Sequence, residues 1–236
     1  MPGIESGCSM VGAVVLRMPE THPHRETRIL PALAVLVLPI FVAALPGRYQ
    51  LMPRGIPFAT GLALAIPMLL AGFFPANPLF VRLERLVAAI VIPLAACVEI
   101  AFLALLFINM VKVNSQISGI TLLTTSVAIW INNIVIFALA YWQIDRGGPA
   151  GRSSGWHGRT DFTFPRGDPS DNVPRDWQPY FVDYLALAFN TATAFSPTDV
   201  LPLRPRAKIL MMTESCISLV TVVGVGARAI NILGGG

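Results

Sequence analysis

Three ionisable residues interrupt stretches of this sequence that are otherwise apolar enough to lie in a lipid bilayer. Glu99 sits in the middle of ACVEIAFLALL, Glu214 follows LMMT near the end of the chain, and Arg228 comes fourteen residues after Glu214. A charged side chain at the centre of a membrane helix costs roughly 2.5 to 3.5 kcal/mol on insertion scales, so such residues are rare and mark functional sites. We expect Glu214 to face a conduit for ions. For Glu99 a functional role and a structural buried pair both remain open.

The partners of these groups must come from neighbouring helices. Glu214 and Arg228 return to nearly the same face of one helix but lie ~21 Å apart along its axis, too far to pair. An ion pair between Glu99 and Arg228 is one possible arrangement if their two segments touch. Asn132 and Asn133, in WINNIV, are expected to hydrogen-bond a neighbouring helix for ~0.6 kcal/mol, which is a packing role.

The stretch FNTATAFSPTDVLPL, from Phe189 to Leu203, is too short and too broken by proline to cross a bilayer. It overlaps YFVDYLALAFNTATA, which predicts a helix of about four turns over Tyr180 to Ala194 that Pro197 stops. Non-helical backbone at membrane depth persists only against protein or a watered cavity, so a half-helix with a polar turn marks a permeation or binding site. The alternative is a helix lying flat in the membrane interface. The candidate pore-lining residues are Asn190, Thr191, Thr193, Ser196, Asp199 and Glu214.

The elements that must position these residues are apolar helices. Hydrophobic residues make up 54% of the 236-residue chain and charged residues only 13%, and the mean hydropathy is +0.65. A span needs roughly 20 apolar residues, and five windows approach that length. The sequence predicts an all-α, polytopic membrane protein with about five transmembrane helices and a re-entrant half-helix before the last. The five windows are Ile29 to Leu45, Gly55 to Phe74, Leu86 to Val111, Ile117 to Ile144 and Ala207 to Leu233.

A polar region separates the fourth and fifth windows. Residues 145–179 are rich in Gly, Pro and charges of both signs, so we expect a linker in water. Its aromatic side chains are expected to attach it to the membrane surface or to helix ends. The predicted divisions are a tail over 1–28, a four-helix region over 29–144, this linker, and a pore-loop-like unit over 180–236.

Small side chains recur in the last window at Ser215, Ser218, Thr221 and Gly224. Spacings of three and four residues allow close helix contact, which suits either an intramolecular interface or an oligomer axis. We expect a homo-oligomer.

The sequence contains no constellation typical of an enzyme, a metal site or a nucleotide site. Its three histidines fall in aqueous segments without carboxylate partners at ligand spacing, and its three cysteines form no CxxC pair. The net charge of +4 fits the basic flanks of membrane spans rather than nucleic-acid binding. We expect no catalytic residue, no metal and no cofactor, and the expected partners are the lipid bilayer, a permeant ion and further copies of the chain.

The basic residues are distributed unevenly about the predicted spans. With five spans, 13 of the 17 Lys and Arg residues fall on the side of the N-terminal tail and the polar linker. Because positive charge favours the cytoplasmic side, this topology predicts a cytoplasmic linker and polar turn. A count of four or six spans would reverse that orientation.

The C-terminal part, TATAFSPTDVLPLRPRAKILMM followed by one apolar span, resembles the end of two-helix pore-loop channels of the potassium-channel type. Thr191 to Thr193 match the Thr-rich end of the pore helix and Asp199 matches the aspartate after the filter, while Ala194 to Thr198 replace the TVGYG filter. Pro197 locks its own φ and cannot adopt the glycine conformations of that filter. The resemblance implies a pore-loop architecture and does not imply potassium selectivity.

Nearly the whole chain is similar to a group of uncharacterised bacterial integral membrane proteins, some described as channel-like. The similar strings are WINNIVIFALAYWQIDRGGP, DFTFPRGD, YLALAFNTATAFSPTD, RAKILMM and ARAINIL. This resemblance implies the architecture and a bacterial inner-membrane location, and it assigns no reaction. We therefore expect a channel-like permeation protein whose ion is unknown, and the alternative is a non-conducting membrane scaffold or sensor.

Overall fold

The computed structural model describes residues 27–44, 55–112, 118–154, 158–165, 177–193 and 199–234. These ranges are mostly helical, and Ser196 of the polar turn lies outside them. In chain order the elements are α1 (Ile29–Ala44), α2 (Gly55–Phe73), α3 (Pro78–Lys112), α4 (Gly119–Ile144), a 3₁₀ turn (Asp145–Gly147), α5 (Gly148–Ser153), β1 (Phe162–Thr163), α6 (Phe181–Thr193), β2 (Leu201–Pro202), α7 (Pro205–Leu219), a π-helical segment (Val220–Gly226) and α8 (Ala227–Gly234).

Within the described ranges, three continuous helical stretches are long and apolar enough to cross a membrane, namely Pro78–Ile108, Gly119–Ser153 and Pro205–Ile232. The apolar helices Ile29–Ile40 and Pro57–Phe73 are shorter. The prediction of an all-α membrane protein is confirmed at this coarser level.

α1 and α2 form an antiparallel pair that is tied to the start of α3. A Cβ atom at Gly61 would lie 3.3 Å from Cγ of Pro39, so the missing side chain allows α2 to approach α1. At the other end of the pair, Gly72 faces the side chain of Arg28 in the same way. Arg28 Nε donates to both carboxyl oxygens of Glu84, at 3.1 and 3.0 Å, and both residues are buried. This ion pair joins the two-helix unit to α3.

α4 is the central helix of the bundle. Every residue from Asn133 to Trp142 is buried, and α4 contacts α1, α3, α6, α7, the π-helical segment and α8. A helix that is covered on all sides in this way belongs to the interior of a bundle.

α3 and α7 both run antiparallel to α4. Arg85, near the start of α3, donates to the carbonyl oxygen of Gly147 just beyond the end of α4. Arg206, at the start of α7, donates to the carbonyl oxygen of Ile144. The starts of α3 and α7 and the end of α4 therefore lie together at one end of the bundle, which we call the polar boundary.

α6 runs inward from the polar boundary, antiparallel to α4 and parallel to α7. The ring of Phe181 at its start lies 6.0 Å from that of Trp142, and the ring of Phe189 lies 5.7 Å from that of Trp130, twelve residues earlier in α4. The end of α6 meets α7 at Ser218, which is ~18 Å along the helix axis from Arg206.

After α6 the described chain resumes at the polar boundary. β2 pairs antiparallel with β1, with Phe162 opposite Pro202. The Leu203 N–H donates to the carbonyl oxygen of Asp161 at 2.8 Å. The start of α6 and the strand β2 therefore both lie at the polar boundary.

The polar region after α4 is packed against the bundle in part, because Asp145, Arg152 and Phe162 are buried while Arg159 and Thr163 are exposed. The expectation of a linker in water does not hold for the buried residues. Phe162 is fully buried, and the ring of Phe164 packs against those of Trp177 and Tyr184. A reversal of the chain makes this possible, because Gly148 adopts a φ of +76° and a Cβ there would lie 3.0 Å from the Gln143 carbonyl oxygen. Phe162 and Phe164 contact Tyr141 of α4 and Tyr184 of α6, which agrees with attachment of these two residues to helices, while Trp156 lies outside the described residues.

Candidate functional site: a buried carboxyl pair

Glu214 is fully buried where α7 faces α4. The Tyr141 hydroxyl donates to Oε2 of Glu214, and Asn133 Nδ2 donates to the Glu214 carbonyl oxygen at 3.1 Å. All three residues have an exposed fraction of 0%. The second carboxyl oxygen, Oε1, has no hydrogen-bond partner. Glu214 is therefore held in place by α4 with one acceptor left unused.

Glu99 brings a second carboxyl group to the same depth from α3. Phe107 contacts Gly224 across the bundle, so these two residues mark a common level. Glu99 lies eight residues before Phe107, which is ~12 Å along α3. Glu214 lies ten residues before Gly224, which is ~15 Å along the helix that runs parallel to α3. Glu99 is only 7% exposed. The two acidic residues that interrupt the apolar sequence therefore lie at a similar depth in the bundle.

Unused acceptors accumulate at this site. Both oxygens of Glu99, Oε1 of Glu214 and Oδ1 of Asn133 are buried and have no hydrogen-bond partner. A buried polar group without a partner costs about 1 to 3 kcal/mol, and a buried unpaired charge costs more. None of the ion pairs among the described residues includes either carboxyl group. The site is consequently rich in acceptors and lacks an internal cation.

The end of α6 reaches the same site. Ser215 Oγ donates to the Thr191 carbonyl oxygen at 3.4 Å, and Ser218 Oγ donates to that of Ala192. The last carbonyl groups of a helix have no partner within it, so these bonds satisfy the end of α6. Because Ser215 follows Glu214 directly, α6 ends within one turn of the carboxyl pair.

The other predicted pore-lining residues occupy different surroundings. The hydroxyl groups of Thr191 and Thr193 donate to carbonyl oxygens one turn earlier in α6, at 2.8 and 3.0 Å. Asn190 is half-buried, and Asp199 is exposed near β2 at the polar boundary. Ser196 belongs to the part of the chain that is not described. Their pore-lining role stays a prediction.

The possible ion pair between Glu99 and Arg228 does not form. Arg228 is exposed on α8, while Glu99 faces the interior without a partner. The expected interhelical role is observed for Asn133, through its bond to Glu214. Asn132, one residue earlier and therefore on another face of α4, is half-buried with Oδ1 unbonded.

A second polar cluster lies at the polar boundary and was not predicted. Asp145, fully buried after the last residue of α4, accepts through Oδ1 from the backbone N–H groups of Asp161 and Phe162, at 2.9 and 3.3 Å. Its Oδ2 accepts from the Tyr184 hydroxyl of α6 at 2.6 Å. One carboxylate thus joins the end of α4 to β1 and to α6.

Two arginines complete this boundary cluster. Arg206 forms a two-pronged ion pair with Asp161, with Nη2 2.6 Å from Oδ2. Arg152 is 3% exposed, stacks on the rings of Trp142 and Tyr184, and donates to the Trp142 carbonyl oxygen at 2.8 Å. These contacts are those of a structural joint, since each charge has its partners. Only the position of Asp145 at the end of an apolar run could have indicated it from the sequence.

Comparisons with known protein families, with curated proteins and with solved structures find no match for this chain.

Proposed function

We propose that the protein is a channel-like permeation protein of the bacterial inner membrane that passes a cation along Glu214. The observation that carries this proposal is a fully buried carboxyl group, deep in an apolar bundle, with one oxygen unbonded and a second carboxyl group at the same depth. Ionisable groups inside membrane bundles are costly, and they occur on ion and proton pathways. In a purely structural carboxylate we expect both oxygens to accept hydrogen bonds, as both oxygens of Asp145 do.

In this proposal α6 is a re-entrant half-helix, and α1, α2, α3, α4 and α7 to α8 are five spans. A helix of 13 residues is ~20 Å long, which is less than the ~30 Å hydrocarbon core. Support comes from its inward course along α4 and from the reappearance of the chain at the polar boundary in β2. The bonds from Ser215 and Ser218 satisfy two carbonyl groups at the inner end of this half-helix.

The proposed path runs within one chain, because Glu214 points toward α4 and not toward the outer surface. This differs from pore-loop channels, in which symmetric copies surround an axis. Homo-oligomerisation stays a prediction, and Val222, Val223 and Ile230 form an exposed apolar face of the last span on which lipid or further copies can pack. Potassium selectivity is not proposed, since the TVGYG filter is absent from the sequence.

A flux measurement tests this proposal. Purified protein in liposomes is expected to dissipate a gradient of Na⁺, K⁺ or H⁺, and Glu214→Gln is expected to reduce the flux by about tenfold or more, equivalent to ~1.4 kcal/mol in the barrier. Thr213→Val is the matched control, because the Thr213 hydroxyl bonds only within its own helix and the flux should be retained. No flux of any cation, anion or proton would instead favour a non-conducting scaffold or sensor.

A further inference from the structure

We propose that the outward face of α7 binds an anionic phospholipid, with the headgroup phosphate on Arg204 and Lys208 and an acyl chain along the apolar side chains that follow. This site is independent of the proposed function, because Glu214 lies on the other, buried face of the same helix. We call the apolar part of the outward face the lipid strip, and its residues are Ile209, Met212, Cys216 and Leu219.

Arg204 and Lys208 place two positive charges close together at the start of α7. Arg204 precedes the first residue of the helix, and its carbonyl oxygen accepts from the Lys208 N–H at 3.2 Å, so the two residues are one turn apart. Lys208 is exposed and Arg204 is half-buried. Like charges at this spacing repel each other, and cations in the first turn of a helix oppose its dipole. Both effects are unfavourable within the chain alone, and a bound anion relieves both.

The acidic residues nearby do not neutralise these two cations. Asp161 is already bonded through both carboxyl oxygens to Arg206. Asp199 is exposed and forms no ion pair within the described part of the chain. Among the described residues, the side chains of Arg204 and Lys208 likewise have no hydrogen-bond or ion-pair partner. Uncompensated positive charge therefore remains at this part of the polar boundary, and it is complementary to an anion.

The lipid strip runs from these charges into the membrane-spanning part of the helix. Ile209, Met212 and Leu219 are 63%, 67% and 64% exposed, and Cys216 is also exposed. Their spacings of three and four residues place them in one line along the helix. From Ile209 to Leu219 is ten residues or ~15 Å, which is half of the ~30 Å hydrocarbon core. A strip of this length matches an acyl chain within one leaflet.

The combination of charge and apolar strip identifies the anion as a lipid. A free phosphate would use the two cations and leave the strip without a partner, whereas a phospholipid uses both. The start of α3 lacks this combination although it lies at the same boundary. Arg82 is exposed there, but the next arginine, Arg85, donates to the carbonyl oxygen of Gly147. α3 therefore presents one unbonded cation where α7 presents two.

Cys216 allows the position of the acyl chain to be tested in phosphatidylcholine vesicles. A fluorophore is attached to Cys216 in a variant that carries Cys8→Ser and Cys97→Ser. We expect phosphatidylglycerol with a nitroxide on its acyl chain to quench this fluorophore more strongly than equally labelled phosphatidylcholine at the same mole fraction. The control is a fluorophore on Cys97 instead, which is exposed on α3 and lies within ~3 Å of the same depth. It should be quenched equally by the two lipids.

Substitutions of the basic residues test the headgroup contact in the same assay. Arg204→Gln and Lys208→Gln are each expected to lower the preference for phosphatidylglycerol by about fivefold, and the double variant should abolish it. Arg82→Gln is the matched control, because it removes an exposed cation from the other helix, and it should leave the preference unchanged. Higher salt should reduce the preference of the wild-type protein, since the cations are near the surface.

Three results would overturn the proposal. Equal quenching of Cys216 by the two lipids in the unsubstituted background would show that no anionic lipid is preferred there. An equal loss of preference in Arg82→Gln and Lys208→Gln would show general attraction to the boundary instead of a site. Inorganic phosphate that relieves the quenching more than chloride at the same ionic strength would identify a free anion as the ligand. None of these measurements depends on ion flux, so the failure of the proposed function would leave this site standing.

Discussion

At the scale of single residues, buried carboxyl groups in this protein have opposite surroundings. Asp145 is bonded to two backbone N–H groups and one hydroxyl, while Glu214 has one donor and Glu99 has none. A carboxyl group whose oxygens all accept hydrogen bonds is stabilised in its charged form and rigidifies its neighbours. A carboxyl group with an unbonded oxygen can still bind another donor. A buried carboxyl group therefore serves as a structural joint at the boundary, whereas those of Glu99 and Glu214 keep unbonded oxygens in the interior.

Replacing Asp145 tests the structural half of this contrast. Asp145→Ala is expected to lower the free energy of unfolding by about 3 kcal/mol or more, because three buried donors lose their acceptor at about 1 to 3 kcal/mol each. Denaturation of the purified protein in detergent measures this. Asp199→Ala removes an exposed carboxylate nearby and should change stability by less than about 0.5 kcal/mol. Equal stability of the two variants would contradict the assignment of Asp145 as a joint.

The sequence alone pointed to the polar site residues that interrupt apolar runs, and it did not point to the other residues of the site. Glu99, Glu214 and Asn133 stand out because charge and amide groups are rare in apolar runs. Tyr141 could not be identified in this way, because tyrosines are common near the ends of membrane helices. Its contact with Glu214 depends on how α4 and α7 pack together. The suggested pairing of Glu99 with Arg228 was wrong because α8 turns Arg228 outward.

At the scale of elements, the last span is not a uniform α-helix. Seven residues, Val220–Gly226, are π-helical, and such segments often occur at functional sites. Within it, Gly224 lies so close to Phe107 that a Cβ atom would overlap the ring. This close approach packs α3 directly against the π-helical segment.

Substitutions at two glycines of this segment are predicted to differ sharply. Gly224→Ala should destabilise the protein by about 1 to 3 kcal/mol through overpacking, and it should impair flux by displacing α3. Gly226→Ala is the matched control, since a Cβ there meets no atom within 4 Å. Adding Phe107→Leu to Gly224→Ala should restore stability, and a failure to restore it would indicate that the loss has another cause. Thermal unfolding and liposome flux measure the two effects.

Helix positions were largely predictable because apolar length reports directly on membrane helices. All five apolar windows correspond to helices, with ends within a few residues in most cases. The exception is α3, which begins at Pro78 rather than Leu86. Its first turns carry Arg82, Glu84 and Arg85, residues that an apolar window excludes but a helix accommodates well.

At the scale of the whole molecule, charge is concentrated at one end. The ion pairs Arg28–Glu84 and Arg206–Asp161, together with Arg85, Arg146 and Arg152, all lie at the polar boundary. The sequence predicted this asymmetry from the distribution of Lys and Arg. It could not predict that the region after α4 folds onto the bundle, because that depends on contacts between residues far apart in the chain, such as Asp145 with Tyr184.

Membrane orientation follows as a prediction for the whole molecule. In a variant whose three cysteines are replaced by serine, Thr160→Cys reports on the polar boundary and Gly55→Cys on the opposite end. A Cβ at Gly55 meets no atom within 4 Å, so that substitution should be tolerated. A membrane-impermeant thiol reagent added to intact cells is expected to label position 55 and not position 160. The reverse pattern would place the polar boundary outside the cell.

The bonds between α6 and α7 have a consequence for biosynthesis. The hydroxyl groups that satisfy the end of α6 belong to residues 24 and 26 positions later in the chain, so they are still inside the ribosomal exit tunnel when the end of α6 emerges. Until Ser215 and Ser218 leave the exit tunnel, the terminal carbonyl groups of α6 must remain hydrated or be shielded by the insertion machinery. α6 therefore settles among the other helices only together with α7.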